Sequence, residues 1–430
     1  MLKTIVQPSS KLVAFILALR LALYQPQINH LRRVADALIV CDGRKTLTNL
    51  YREYVEEYDP KTAADFFRES PWEAEMVSKS RQGYMLAELV AISQMLGFDG
   101  PIVISIDDSL GKKHKDTRHL EAVDYQYNHG ESTRKKAVYS NGYVYVEVHI
   151  QIGAIGFSFD IQLYLREETI RKLNRQRDKG KRLRFRSKYR IARAMLVKIA
   201  KLLPKDHRVY VTFDSWYASA KLIKYCRRQG WHVVCALRSN RLLNGISLKK
   251  HDLAMKHRRY IRVRMSAVDQ TQPPSYCVRT LRGHLNKVRD EVCVIISRRR
   301  PGDRYPKYFM CTDLNLSAQE ALRNYQQRWP VEVDNLYLKE ALGLGDFRLQ
   351  SFEAIEKWFQ ALVLTLNFLQ FRQAQNLLCT GSLSSLADII RDHRSEHAHN
   401  LLRSVAEQVL CLGTIEPVLK RFFQLERCVT

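Results

Sequence analysis

At 430 residues the chain is long enough for one large core with insertions or for two to three domains, and an apolar fraction of 46% can fill that core. Seventy Lys and Arg against 44 Asp and Glu leave a net charge of +26, spread over most of the chain. Such a field repels itself and attracts polyanions, nucleic acid foremost, while an anionic membrane surface has little support because no basic amphipathic segment stands out.

Other classes fall away as quickly. The nine cysteines are scattered without a CxxC pair, so zinc-ribbon and thioredoxin-like readings have no basis, and an odd, unpatterned set suits reduced thiols in a cytoplasm. LVAFILALRLALY (12–24) is interrupted by Arg20 and reads as an amphipathic or buried helix rather than a leader. No stretch approaches the roughly 18 apolar residues that span a bilayer, so a soluble protein is expected. A phosphate loop of the GxxxxGK type is missing, which leaves ATP-driven function unsupported.

In chain order, residues 1–96 carry apolar residues at spacings of three and four and predict a helical domain, a DNA-reading module or a packing element. Ser70 and Glu73 in SPWEAE form a Ser–x–x–Glu helix-start signal. PIVISIDDSL (101–110) is an apolar run closed by two aspartates, and residues 139–165 alternate about Gly turns like two long antiparallel strands. A helix is expected near 188–203, then a strand closed by an acid in VYVTFDSWYA (209–218), a helix ended by Gly230, and a strand at 231–238. Residues 97–239 thus predict the first part of an α/β domain with a mixed sheet. Short β-like runs across 240–313 read as an all-β insertion. Helix returns in 314–350, with Ser317 as its N-cap, and a helical region is expected over 351–430.

Three acids stand out within this order. Asp108, with Asp107 as the alternative, closes the first strand, Asp214 closes a later one, and Glu332 lies on a polar helical stripe. Acids at strand ends sit on the rim of a sheet, where α/β folds bind ligands. Converging there, they would repel one another unless joined by a hard, oxygen-seeking cation such as Mg2+. The stripe is set by spacing. In YQQRWPVEVDNLYLK, Tyr325, Arg328, Glu332 and Lys339 would fall within an arc of roughly 60° on an unbroken helix of about 3.6 residues per turn. Pro330 falls inside it and would break or kink that helix.

The spacing Y-x2-R-x3-E-x6-K resembles the signature of DDE-type insertion-sequence transposases, and IDDS and FDSWYAS resemble the two aspartate motifs of that group. FFRESPW near residue 66 is similar to the helical front end of some members. The likeness covers about residues 100–345. It implies a ribonuclease-H-like core interrupted by the β-rich insertion, with Asp108, Asp214 and Glu332 binding two Mg2+ or Mn2+ ions. Tyr325, Arg328 and Lys339 would contact phosphates near the cut end. The implied activity is cleavage at the terminal inverted repeats of a mobile element and joining of the 3′ hydroxyls to target DNA. A homodimer on double-stranded DNA and a bacterial, nucleoid-associated location are implied as well. Two alternatives stand beside it: a nuclease of the same fold that joins no strands, and a transposase-derived protein that only binds DNA.

Supporting charges are expected from the tract 171–193, with Lys181, Arg182 and Arg184, and from Lys112 and Lys113 just past the first acids. Cations at 249–264 and 297–307 would clamp a DNA end. The insertion has no Trp on which an extruded base could stack, and Tyr260, Tyr276, Tyr305 and Tyr308 read as ordinary strand aromatics. His114 reads as an exposed loop residue, and Asp334 and Asp346 as caps or surface charges. His393, His397 and His399 in DHRSEHAHN imitate a metal cluster, but no Cys or second carboxylate run lies near them, which weighs against one.

Overall fold

The structure, a computed structural model, describes residues 2–133, 135–265 and 274–423. Helices α1 (Ser10–Ala18), α2 (Gln25–Val40), α3 (Leu47–Arg52), α4 (Pro60–Arg68) and α5 (Ala74–Met95) come first, as the apolar spacing predicts. The start signal at Ser70 is not used: α5 begins at Ala74 with Glu73 as its N-cap. Trp72, buried and donating from Nε1 to the Phe66 carbonyl, holds that stretch in a turn outside the helix.

The sheet begins with β1 (Ile102–Lys112), β2 (Asp124–Tyr127), β3 (Tyr139–Ile152) and β4 (Ile155–Tyr164). After α6 (Glu167–Asn174) and α7 (Lys188–Leu202) come β5 (Val209–Phe213), α8 (Ala220–Arg228) and β6 (His232–Leu237). The β3–β4 hairpin turns at Gly153, whose φ of +57° disfavours any side chain and where an added Cβ would lie 2.5 Å from the Phe98 ring. β3 lies antiparallel between β4 and β1, whereas β5 runs parallel to β1 and β6 parallel to β5. The result is the expected α/β class: a mixed sheet of ribonuclease-H-like order with helical regions at both ends of the chain. Every residue from Ile102 to Ile106 and from Val209 to Phe213 is buried, because helices cover both faces of these central strands.

The insertion departs from an all-β unit. It holds the small hairpin β7 (Leu242–Leu243) and β8 (Ile246–Ser247), helix α9 (Leu248–Ala254), and strands β9 (Ile261–Arg264), β10 (Ser275–His284), β11 (Glu291–Arg298) and β12 (Lys307–Cys311). β12 pairs antiparallel with β6, so the insertion prolongs the core sheet to ten strands among the described residues. The part of the expected β run beyond Met265, to residue 273, lies outside the described residues.

Next come α10 (Ala318–Gln326), capped by Ser317 as expected and closed by Glu320 in a capping box, and α11 (Trp329–Leu336). A π turn (Tyr337–Ala341) continues α11. The chain ends in α12 (Phe352–Thr380), α13 (Leu386–Leu412) and α14 (Glu416–Phe422); the expectation of helix over 424–430 lies outside the described residues. α12 is a core element rather than a peripheral one, sharing one continuous apolar core with β1, β3 and β4. The fully buried guanidinium of Arg81 on α5 clamps it, bonding Asn367 at 2.6 Å and the Phe159 carbonyl at 3.0 Å. No helix of the described residues is long and apolar enough to cross a membrane.

Candidate active site

The two neighbouring aspartates of β1 part company because successive side chains of a strand point to opposite faces. Asp107 shares a face with Ser105, Ser109 and, across the β1–β3 register, Glu147 and Tyr145. This is the face covered by α11. Arg328 reaches Asp107 Oδ2 at 2.7 Å with one nitrogen and Glu332 Oε1 at 2.9 Å with the other. Asp108 points the other way, toward α7, where the Lys188 ammonium donates to its Oδ2 at 2.6 Å. Asp214 follows β5 directly, and one residue beyond the last paired positions, Ile106 and Phe213, the parallel register brings it beside Asp107. Its Oδ1 is fixed by the amides of Trp216 and Tyr217, at 2.9 and 3.2 Å.

Of the two candidates on the first strand, then, Asp107, the alternative, shares Arg328 with Glu332, whereas Asp108 pairs with Lys188. The physical reason is the pleat: Asp108 and Glu332 lie on opposite faces of the sheet. Arg328 joins Asp107 and Glu332, and Asp214 stands one residue past the last β1–β5 pair; the three are not a group whose oxygens all converge within 4.8 Å among the described residues. The Arg328 guanidinium occupies the space between Asp107 and Glu332. Burial, reinforced by the Glu332 charge and opposed by Arg328, pushes the Asp107 carboxyl up to about 7. Burial also works against the charge on Arg328, but Asp107, Tyr325 and Glu332 together outweigh it and leave the guanidinium above its ordinary value.

The unbroken stripe does not form. As Pro330 foretells, the helix breaks at Gln327 and Arg328, and the proline sits in the first turn of α11, where a missing amide proton is tolerated. The Gln327 carbonyl accepts from Ser105 Oγ at 3.3 Å, and Ser105 bonds Thr212 of β5 at 3.0 Å. These two buried hydroxyls seat the break beneath the acids and set Arg328 over Asp107. Tyr325, left on α10, packs its ring on Phe309 with centroids 4.8 Å apart, and burial pushes its hydroxyl up to about 12. Lys339 lies in the π turn and donates to Ser109 Oγ at 2.6 Å, so it stays at the rim of β1.

The outer cations divide into two kinds. Lys181, Arg182 and Arg184 are exposed on the segment between α6 and α7, and the same tract ends at Lys188 on Asp108. Lys112 is exposed and paired with Glu131. Lys113 is different: its ammonium bonds the carbonyls of Gly345 and Phe347 at 2.5 and 2.7 Å, and burial brings it down to about 8. His114 is exposed beside Asp116, as expected for a loop residue. Asp346 accepts from the Lys45 amide at 2.8 Å. In the insertion, Tyr308 is buried, Tyr260 is covered by Arg279 at 3.7 Å, and Tyr305 is 89% exposed.

Sequence reasoning missed the polar layer beneath the rim. Glu147 is fully buried, accepts from Ser158 Oγ at 3.0 Å, and is pushed well above the ordinary carboxylate range by burial and then by Asp334. Asp334, expected as a cap or surface charge, is buried instead. It meets His149 Nδ1 at 2.5 Å and accepts from Gln370 at 2.7 Å. The signal was present: Glu147, His149 and Gln151 interrupt the apolar residues of VYVEVHIQI. Among the described residues, the group whose ligand atoms do converge within 4.8 Å is Asp36, His393 and His397, in the helical layer away from these acids.

No curated protein matches the chain. Among solved structures it is similar to the piggyBac transposase synaptic complex with hairpin DNA, seen by cryo-EM, at 12% identity and a TM-score of 0.41. That overlap takes in 78% of this chain and 65% of the other, so this chain spans less than two thirds of that protein. A model of the family described as DDE superfamily endonuclease matches residues 26–276, which include Asp107, Asp108 and Asp214 but stop short of Glu332. That match takes in more than half of the chain, and the chain belongs to the DDE superfamily endonucleases.

Proposed function

We propose that this chain is the transposase of a mobile insertion element, a metal-dependent enzyme that cuts DNA at terminal inverted repeats and joins the freed 3′ hydroxyls to target DNA. The observation that carries the proposal is the meeting of Asp107 and Glu332 on Arg328, with Asp214 directly after the neighbouring strand. Membership of the family supports the nuclease chemistry, and the Y-x2-R-x3-E-x6-K spacing supports the step beyond it. Hydrolysis and strand joining are both in-line phosphoryl transfers that differ in nucleophile, so one acid set serves both.

The donor set fits a hard dication, because the carboxylates supply oxygen ligands. Asp107, Asp214 and Glu332 would hold Mg2+ or Mn2+. Bound there, a pair of ions would activate a water or sugar hydroxyl and stabilise the leaving oxygen. The chain's own residues do the rest. Arg328 neutralises Asp107 and Glu332 in the free protein and offers a phosphate-matching fork once they are engaged otherwise. Lys339, held by Ser109, keeps a cation at the rim for a backbone phosphate. Lys188 neutralises Asp108 so that a second carboxylate does not repel the DNA strand. Lys181, Arg182 and Arg184 extend the phosphate contact outward. Two DNA ends handled together call for a homodimer on double-stranded DNA, and a bacterial nucleoid is the corresponding location.

The test is strand cleavage of DNA bearing the element's ends, with Mg2+ or Mn2+, by the wild type and by D107N, D108N, D214N and E332Q. Loss of cutting in D107N, D214N and E332Q with substantial cutting in D108N is expected; undiminished cutting by E332Q overturns the proposal. Substrates with pre-cut 3′ ends separate a transposase from a nuclease that joins no strands.

A further inference from the structure

We infer that Asp36, His393 and His397 form a structural binding site for Zn2+, distinct from the catalytic acids, that pins the N-terminal helix α2 to the C-terminal helix α13. His393 and His397 stand four residues apart on one face of α13, the spacing by which a helix presents two imidazoles to one ion. Both Nε2 atoms converge on the same oxygen, Asp36 Oδ1, at 2.7 and 2.8 Å. All three side chains are buried, Asp36 completely. Its other oxygen accepts from the Ser9 amide at 3.0 Å, which fixes the carboxylate's orientation from behind.

Charge and chemistry identify the ligand. Asp36 is a completely buried carboxylate. Its ion-pair partners among the described residues are these two rings and no Lys or Arg. A buried carboxylate that gathers two imidazole nitrogens and meets no Lys or Arg offers a dication a ready set of ligand atoms. Two nitrogens and one oxygen suit Zn2+ and exclude Mg2+, which demands oxygen ligands. With bonds of about 2.0 Å at tetrahedral angles, Zn2+ holds its ligand atoms ~3.3 Å apart, so each His–Asp gap opens by only about half an ångström.

Two further atoms at the cluster lack partners. The Ser9 hydroxyl is buried and unbonded beside the amide that Asp36 already accepts, and His397 Nδ1 is buried and unbonded on the far side of its ring. The first is at hand for the open fourth position, directly or through water. The second takes the ring proton when Nε2 turns to the metal. The His393 ring is further steadied edge-on against Phe368 of α12, with centroids 5.7 Å apart.

The experiment uses the full chain. After dialysis against trace Zn2+, metal content by mass spectrometry should be about one Zn2+ per chain in the wild type and in D107N/E332Q. It should fall to near zero in D36N and H397A and stay unchanged in H399A, whose histidine is exposed on the same helix. Co2+ titration of the wild type should give the intense visible bands of a tetrahedral site, which needs no variant to fold. Absence of those bands together with absence of retained Zn2+ overturns the inference and leaves a hydrogen-bonded His–Asp–His cluster only. Loss of the metal in D107N/E332Q would place it at the catalytic acids and overturn the inference equally.

Discussion

Replacing Asp107 by Asn should stabilise the metal-free protein while abolishing its chemistry. Asp107 ionises at an ordinary value of 3.8 when exposed and at about 7 in the fold, so the folded state holds a proton that the unfolded chain releases between those pH values. The unfolded chain therefore carries fewer protons than the folded one in that window, and stability falls as pH rises from about 4 to about 7. At about 1.4 kcal/mol for each of roughly three pH units, ionised Asp107 costs the fold about 4 kcal/mol by pH 8. Asparagine keeps the shape without the charge, but it removes one of Arg328's two partners, which trims the gain to roughly 2–4 kcal/mol. The assay is urea unfolding of wild type and D107N in EDTA at pH 4, 5, 6, 7 and 8. The gap should grow from near zero at pH 4 to its full size at pH 8, and excess Mg2+ should narrow it by stabilising the wild type alone. A gap that does not change with pH, or a D107N less stable than wild type at pH 8, would refute the reasoning about burial.

Arg81→Met removes the buried guanidinium that joins α5, β4 and α12 and leaves Asp160 and Asn367 without it; a loss of about 3–5 kcal/mol is expected by chemical denaturation. Gly153→Ala meets both a positive φ and the Phe98 ring, so a loss of about 1–3 kcal/mol is expected with DNA cleavage intact. Alanine at Lys181, Arg182 and Arg184 together should lower the salt dependence of DNA binding by roughly three units of slope, as measured by fluorescence anisotropy. Lys113→Ala should leave DNA affinity nearly unchanged and lower the melting temperature instead, because its ammonium is bound to the carbonyls of Gly345 and Phe347.

Legibility followed the range of the forces involved. The apolar run of β1, the alternation of β3 and β4 and the periodicity of the N-terminal helices are local patterns, and each of these elements forms where the pattern lies. The Pro330 break was equally local. Which of Asp107 and Asp108 meets Glu332 was not, because that depends on which face of β1 receives α11, a choice made by Tyr145, His149 and their partners Asn335 and Asp334 far along the chain. The spacing of His393 and His397 showed two members of the buried cluster, and its carboxylate lies at Asp36, at the opposite end of the sequence. The insertion read as a unit of its own because strand composition does not say which edge a strand will join, and β12 joined the open edge of β6.

That join has a geometric consequence for DNA. From β1 to β9 the sheet takes six neighbour steps. At about 4.8 Å and 20–25° each, they carry the strand direction ~29 Å sideways and turn it by more than a right angle. With such a twist the exposed arginines at 258, 259, 262 and 264 would ride on a surface turned like a propeller blade away from the plane of the acids. At that average twist a straight duplex would not lie flat on both, and under the proposed function a substrate touching the two at once would curve around the molecule or arrive as two separate arms.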